Sequence, residues 1–565
     1  MAAATMTNTP APEAKTLPEG YYLDNFRCLM DVVERHHGNL LNDAELSFSR
    51  NFRACSQAAQ RLLVRLVSRK GPLFRSDKLQ YPEIEDIPVA TEALVRWGLL
   101  TVNGKHPTEE VLALLTKREL CLLLTAVSSP PPQEDLGKWK KPALRDRAAA
   151  LSAETLAAWC HGRFQILARP CMQQILIYRL LFFGNLDQDL SEFVITDLGN
   201  IHYEPYPMDT ATSMFKNRQV LDSLFHMLLL RESLYQAVEE KDTPTIRRVM
   251  AQLHHPGKDP ILESRFDKLA NVCGRYFEQA HLFREALACF ALAKAPPARE
   301  RRARIHVRLG ENPKALALCE EILTAPRDEL ERGFALRFLP RQRKKLGLSH
   351  RPFSRMAHPT TILELPKDEG RVEVGVLKHL AKQGSEGFHS ENQLWLALFG
   401  LAFWDIIFAD VAGAFFNPFQ RGPLDMFTPD FRAQRETAIQ ARLEEMREGR
   451  FTAEVLLDRF REKQGTANFF VNWQVLPVDL ITLVLTKVPM IHLAAVCDRL
   501  TRNPRELRNG FPDLFLFTQE PPGYELAEVK GPGDQLQLNQ RHWLRYFAEQ
   551  GIPYRVIRVR WLNSE

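Results

Sequence analysis

Two acidic residues and a lysine near the C-terminal end of the chain have the types and spacing of a hydrolytic metal site. Asp513 follows Pro512 and opens the apolar run Leu-Phe-Leu-Phe. Glu528-Val529-Lys530 closes a second run that begins at Tyr524, and Gly531-Pro532-Gly533 stops it. Both runs read as short strands, and the 15-residue step from Asp513 to Glu528 suits a hairpin. The two-residue period of a strand puts Glu528 and Lys530 on one face. Carboxylates are hard oxygen ligands suited to Mg²⁺ or Mn²⁺. A cation so held polarises a phosphodiester and acidifies its own water. A neighbouring ammonium can orient that water or offset charge on the phosphoryl oxygens. The same residues also read as a plain Glu–Lys pair on an edge strand, because Glu-x-Lys arises by chance about once or twice in a chain of this size.

The elements that must position these groups are short. Residues 534–550 read as a helix, and 552–561 (IPYRVIRVRW) as a third, basic strand. Strand, strand, helix, strand is a small α/β unit. Upstream, His389-Ser390-Glu391 precedes LWLALFGLAFW, with Ser390 suited to cap that helix and Glu391 to sit in its first turn. The apolar run is broken by Asp405 and Asp410. A membrane span needs about 18–20 uncharged apolar residues, so a buried core helix is expected and no membrane partner. Between Glu391 and Asp513 lie 121 mostly helical residues that either cover a substrate or enlarge the domain.

The 565 residues are 45% hydrophobic and 25% charged, which excludes a disordered chain, a collagen and a disulfide miniprotein. At roughly 100–200 residues per domain, three to five domains are expected. Lys plus Arg is 74 against 69 Asp plus Glu, an excess of 5 that does not by itself imply a polyanionic partner. The nine cysteines form no C-x-x-C pair, which suggests reduced thiols in an intracellular protein, and the N-terminus has no signal-peptide pattern. Residues 1–20 read as a flexible tail. Residues 21–105 read as three helices and a turn-rich stretch, helical or winged-helix-like. Residues 106–155 read as two short helices around a basic loop, similar to a SAP module or merely a solvated loop. Residues 156–370 read as helical and TPR-like repeats ending in a linker. Within them FVITDLGNIHYEP alternates like a hairpin, Arg284-Glu-Ala-Leu-Ala-Cys-Phe echoes Pro313-Lys-Ala-Leu-Ala-Leu-Cys, and 352–370 reads as linker. Basic residues that could follow a phosphate backbone or lie on solvated faces are Arg65, Arg69, Lys70, Arg75, Lys78, Lys138, Lys140 and Lys141, then Arg337, Arg341 and Lys345. The run ARERRARIHVR adds five arginines at 298–308.

The Pro-Asp…Glu-x-Lys pattern resembles the PD-(D/E)xK nuclease superfamily. AEVKGPGDQLQLNQRHWL followed by VIRVRW looks like a VRR-NUC domain, here spanning 371–565. The segments YYLDNFRCLMDVV, LNDAELSFSRNF, LLVRLVSRK, DKLQYPEI, FVITDLGNIHYEPYPM and AFWDIIF extend the resemblance to the Fanconi-associated nuclease family from residue 21 onward. The resemblance implies a multidomain, mainly α protein: N-terminal DNA-binding and SAP-like modules, a helical-repeat middle, and a C-terminal α/β nuclease domain. It implies a monomeric, metal-dependent deoxyribonuclease acting on branched or 5′-flap duplex, with 5′-3′ exonuclease action, in interstrand crosslink repair. The implied ligands of Mg²⁺ or Mn²⁺ are Glu391, Asp513, Glu528 and the Val529 carbonyl, with Lys530 acting on the water and Gln540 in support. No Cys or His in the first 20 residues matches the ubiquitin-binding finger of eukaryotic members. The chain is therefore similar to a bacterial member of the cytoplasmic nucleoid; a eukaryotic one would be nuclear. No motif marks the family's 5′-phosphate pocket, for which Arg337, Arg341 and Lys345 are candidates. The alternatives are a non-catalytic DNA-binding repeat scaffold with a vestigial nuclease domain, or a nuclease of RNA or unbranched duplex.

Overall fold

The computed structural model describes residues 19–562 except 128–134, 198–200, 208–214, 256, 258, 353–355, 367–369, 429 and 476. The tail assigned to 1–20 and the centre of the basic loop thus lie largely outside the described residues. The chain forms two compact units, 1–201 and 202–565.

In the first unit, the expected helices form at Tyr21–His37, Asp43–Ala54 and Gln57–Val67. Asn42 accepts from the Glu45 amide while the Glu45 carboxylate accepts from the Asn42 amide, a capping box that starts the second helix. The turn-rich stretch holds β1 (Leu73–Arg75), and a fourth helix, Ile87–Arg96, follows. β1 and β2 (Thr101–Val102) both pair antiparallel with β3 (Ile166–Ala168). The middle strand therefore comes from beyond the SAP-like segment, and the boundaries at 105 and 155 are not breaks in the fold. That segment has helices at Thr108–Ala113, Lys117–Val127 and Lys141–Ala148, followed by Ala153–His161, rather than two. Its leucines share one core with Leu73 and Ile166. The expected hairpin at FVITDLGNIHYEP is not formed: Ser191–Asp197 is helical, and 198–200 lie outside the described residues.

In the second unit, helices run from Arg218–Glu240 to Glu329–Lys345. The two echoing segments occupy the helices Phe283–Leu292 and Asn312–Thr324, where Ala286, Cys289, Ala315 and Cys319 are all buried. The arginine run 298–308 is not a uniformly solvated face. Arg299 is buried and donates to Glu331 at 2.6 and 2.9 Å and to Glu321 at 3.0 Å.

The expected linker holds a strand, β4 (Thr360–Pro366). It pairs parallel with β8 (Tyr554–Leu562) and completes a five-stranded sheet with β5 (Gly387–His389), β6 (Leu514–Phe517) and β7 (Tyr524–Lys530), in the order β4-β8-β7-β6-β5. The nuclease-type sheet thus begins before residue 371 and has two strands more than the three read from the last 60 residues. One face, with Ala527, Val529, Ile557 and Val559, packs against Val376 and Leu380 of the helix Val372–Lys382. The other face, with Leu526 and Val556, packs into a larger core containing Trp395, Trp404, Trp543 and Phe547. The apolar segment at 394–411 lies inside that core as the helices Gln393–Ala402 and Trp404–Ile407. Ile439, Leu443, Leu456, Ile481 and Leu493 join the same core, so the helices between Glu391 and Asp513 enlarge the domain.

Candidate metal centre

The register of β6 and β7 pairs Leu514 with Ala527. One step further along the same antiparallel ladder, Asp513 stands opposite Glu528. The Val529 amide donates to Asp513 Oδ2 at 2.8 Å, which fixes the carboxylate against the strand bearing its partner. Glu528 is 0% exposed. Lys530 Nζ lies 2.7 Å from Glu528 Oε1, and beyond that ammonium no described protein donor reaches either oxygen. Burial, and then the Asp513 charge, push Glu528 up to about 8, with Lys530 opposing. Burial also raises Asp513, against the Val529 amide and Lys530. Glu373, in the first turn of the helix Val372–Lys382, raises both acids; the charge of His389 on β5 lowers Asp513. Glu373 and His389 carry no motif that would reveal them in the sequence.

Buried charges are normally paired or metal-bound. Here a fully buried carboxylate and a half-buried one share one ammonium and one directed amide. The donor set is hard oxygen with open coordination, which fits a divalent cation of the Mg²⁺ type.

Glu391 reaches this locality through the backbone. The amides of Ser390 and Glu391 donate to the Asp513 carbonyl at 2.9 and 3.1 Å. Asn392 Oδ1 accepts from the amides of Gly510 (2.9 Å) and Phe511 (3.2 Å). The turn 390–392 is therefore stapled to the segment that delivers Asp513. Glu391 has φ of 41°, left-handed backbone that a glutamate adopts only under constraint. Its side chain is exposed, and among the described residues no third acidic, His or Cys side chain stands close enough to the Asp513–Glu528 pair to complete a metal cluster. Ser390 is not the helix cap: Asn392 holds that position, and Ser390 Oγ is buried without a described partner. Gln540 sits in the first turn of the helix Leu538–Gln550, where its Oε1 accepts the Gln537 amide at 2.8 Å.

The basic candidates divide. Arg75 is buried, donates to Asp77 and Glu119 at 2.8 Å each, and lies 3.8 Å over Phe164, so it holds the fold rather than tracking a phosphate backbone. Arg65 is committed to Glu83 at 2.6 Å and to the Tyr22 ring at 4.0 Å. Arg69 is exposed and donates to the Tyr81 hydroxyl at 3.2 Å. Lys70, Lys78, Lys138, Lys140, Lys141, Arg341 and Lys345 are exposed, and Arg337 is half-buried.

Family profiles match in two places: "FAN1, HTH domain" over residues 20–101 and "VRR-NUC domain" over 450–561. A Fanconi-associated nuclease 1 homolog of Pseudomonas aeruginosa is 35% identical, over 98% of this chain and 97% of its own length. The Arabidopsis thaliana homolog is 28% identical, over 95% of this chain and 67% of its own. A crystal structure of paFAN1 bound to 2-nucleotide 5′-flap DNA with a gap superposes with a TM-score of 0.89 at 34% identity, covering 98% of this chain and 100% of that one. A sheet that joins Asp513, Glu528 and Lys530, inside a chain that aligns end to end with a curated relative, leaves one assignment: the protein belongs to the Fanconi-associated nuclease family of DNA-hydrolysing, divalent-metal-dependent enzymes.

Proposed function

We propose that this structure-selective nuclease takes branched or 5′-flap duplex DNA, cuts near the flap, and trims in the 5′-3′ direction. Its cellular role in this reading is interstrand crosslink repair, performed as a monomer on the nucleoid of a bacterial cell. The observation that carries the reading is the fully buried Glu528 carboxylate, uncompensated except by Lys530, beside an oriented Asp513. The kinship with flap-bound nuclease structures supports the choice of DNA geometry.

Asp513 and Glu528 would hold Mg²⁺ or Mn²⁺, joined by Glu391 from the stapled turn and by the Val529 carbonyl. The cation, when bound, supplies Lewis acidity to the phosphodiester and to its water. Lys530 holds its ammonium within reach of the Glu528 carboxylate, positioned to orient a water on the phosphorus. The Val529 amide prevents Asp513 from rotating away. Gln540 fixes the start of its helix, so its influence on the site is positional. Exposed Lys138, Lys140 and Lys141 contribute phosphate contacts without base code, which leaves selection to DNA shape.

A side-by-side assay of 5′-flap DNA, blunt duplex and single-stranded RNA with Mg²⁺, Mn²⁺, Ca²⁺ or EDTA tests this. Cleavage of the flap substrate, supported by Mg²⁺ or Mn²⁺ and abolished by EDTA, is expected. Equal rates on blunt duplex or RNA would remove the substrate assignment.

A further inference from the structure

Away from the acids, three helices of the nuclease domain frame a cavity of about 320 Å³. Arg447 reaches it from the last turn of the helix Asp430–Arg447. Ile491, Ala495, Asp498 and Arg502 line it from the helix Met490–Arg502, at the spacing of one helical face, and Arg499 stands beside them. Tyr546 and Gln550, one turn apart, close it from the helix Leu538–Gln550. Gln540 lies in the first turn of that last helix, and at 1.5 Å per residue Tyr546 and Gln550 stand about 9–15 Å further along it. The Tyr546 hydroxyl donates to the Ala495 carbonyl at 2.8 Å, which ties two of the three helices together at the cavity.

Three guanidinium groups line this space against one carboxylate. That carboxylate is already matched: Asp498 accepts from Arg432 at 2.9 Å and from Arg502 at 2.6 Å. Arg499 donates to Glu329 at 2.6 Å, and its buried Nε has no acceptor among the described residues. The same guanidinium lies 4.5 Å from the Tyr546 ring centre and 5.2 Å from that of Trp543. Stacking of this kind occupies the face of a guanidinium and leaves its in-plane N–H donors available. Arg447 is exposed and forms no ion pair among the described residues. Burial raises Tyr546 and Asp498 adds to it, while Arg499, Arg502 and Arg447 all pull it down, so the three cations surround one hydroxyl.

Converging guanidinium groups are matched to phosphate oxygens. The volume lies at the small end of the roughly 300–1,000 Å³ typical of ligand pockets and leaves room beyond a phosphate. Ile491, 58% exposed, offers an apolar wall, and Gln550 an amide that both donates and accepts. Exposed Glu444 and Glu448 flank Arg447 in the chain, and exposed Glu549 precedes Gln550. These carboxylates repel a continuous polyanion, whereas a single compact phosphate meets the arginines. We propose that this cavity binds a free nucleoside monophosphate: Arg447, Arg499 and Arg502 hold its phosphate, and Ile491, Tyr546 and Gln550 receive its nucleoside. The binding is separate from strand cleavage and does not rest on the nuclease reading above.

The experiment is calorimetric titration of the full-length protein with AMP, in EDTA so that no cation draws the nucleotide to Asp513 and Glu528. The parent should bind one AMP saturably and melt at a higher temperature when it is bound. Arg447→Gln and Arg502→Gln should each weaken binding by about tenfold or more, the scale of one charge-assisted contact. Arg502→Gln frees the Asp498 carboxylate from one of its partners; should that variant melt early, Arg447→Gln, which strands no acid, gives the same comparison. Adenosine should not bind, and orthophosphate should bind at least about tenfold more weakly than AMP. No binding by the parent, or equal affinity in the parent and Arg447→Gln, would overturn the site. Orthophosphate binding as tightly as AMP would overturn the nucleotide assignment. So would displacement of AMP by a short single-stranded oligonucleotide, which would give the cavity to nucleic acid instead.

Discussion

The Val529 amide donates to Asp513 Oδ2 at 2.8 Å, so one metal-binding candidate is oriented by the backbone of the strand that bears the other. Asp513→Asn can keep that hydrogen bond through its amide oxygen but loses the charge; Asp513→Ala loses both. Both variants are expected to cleave flap DNA at least about a hundredfold more slowly. Only the alanine variant should also lose thermal stability. Binding measured in Ca²⁺ should stay within a few fold of the parent. Parent-like single-turnover rates in either variant would remove Asp513 from the site.

Glu528 makes the metal-free protein sensitive to pH. Its carboxyl is held at about 8 in the folded state against an ordinary 4.5. Between those values the folded state binds more protons than the unfolded one, so stability falls as pH rises, by up to about 1.4 kcal/mol per unit. This contribution is fully present below about 4.5 and gone above about 8. Glu528→Gln should therefore match the parent's melting temperature at low pH and exceed it at pH 9. Added Mn²⁺ should raise the parent and leave the variant unmoved. Parallel pH profiles for the two proteins would contradict the burial argument.

Strain at Glu391 separates stability from function. Its φ of 41° is relaxed by glycine, so Glu391→Gly should gain roughly 1 kcal/mol in denaturant unfolding. If the carboxylate serves the metal, the same variant should cleave at least about tenfold more slowly, and Glu391→Gln should share the defect without the gain. A Glu391→Gly protein that is less stable, or fully active, would break this link.

Arg75 and the lysines near 140 make opposite predictions. Arg75→Ala strands Glu119, whose carboxyl the guanidinium holds down at about 2, and should cost about 3 kcal/mol of stability. Replacing Lys138, Lys140 and Lys141 together by alanine should leave the melting temperature unchanged and reduce the salt dependence of DNA binding by up to about three charges. Fluorescence anisotropy across a salt series distinguishes the two.

The site was partly legible in the sequence because Asp513, Glu528 and Lys530 lie within one hairpin, where period and turn residues fix relative position. The three helices after residue 21 were legible for the same local reason. What escaped is held by long-range pairing. β4 lies in a stretch that reads as a linker because its neighbour β8 is almost 200 residues later. The middle strand of the N-terminal sheet is likewise remote from both partners. Arg75 looked like a solvent-facing cation because its acid, Glu119, is 44 residues away. Glu391 depended on kinship alone, since the staple through Asn392 spans 118 residues.

The position of β8 has a consequence for biosynthesis. β8 follows the other four strands in the sequence yet does not sit at an edge; it inserts between β4 and β7 and pairs with both. Until residues 554–562 emerge, β7 lacks its parallel neighbour. A nascent chain that has not yet extended through β8 therefore holds its acidic pair on an unfinished sheet.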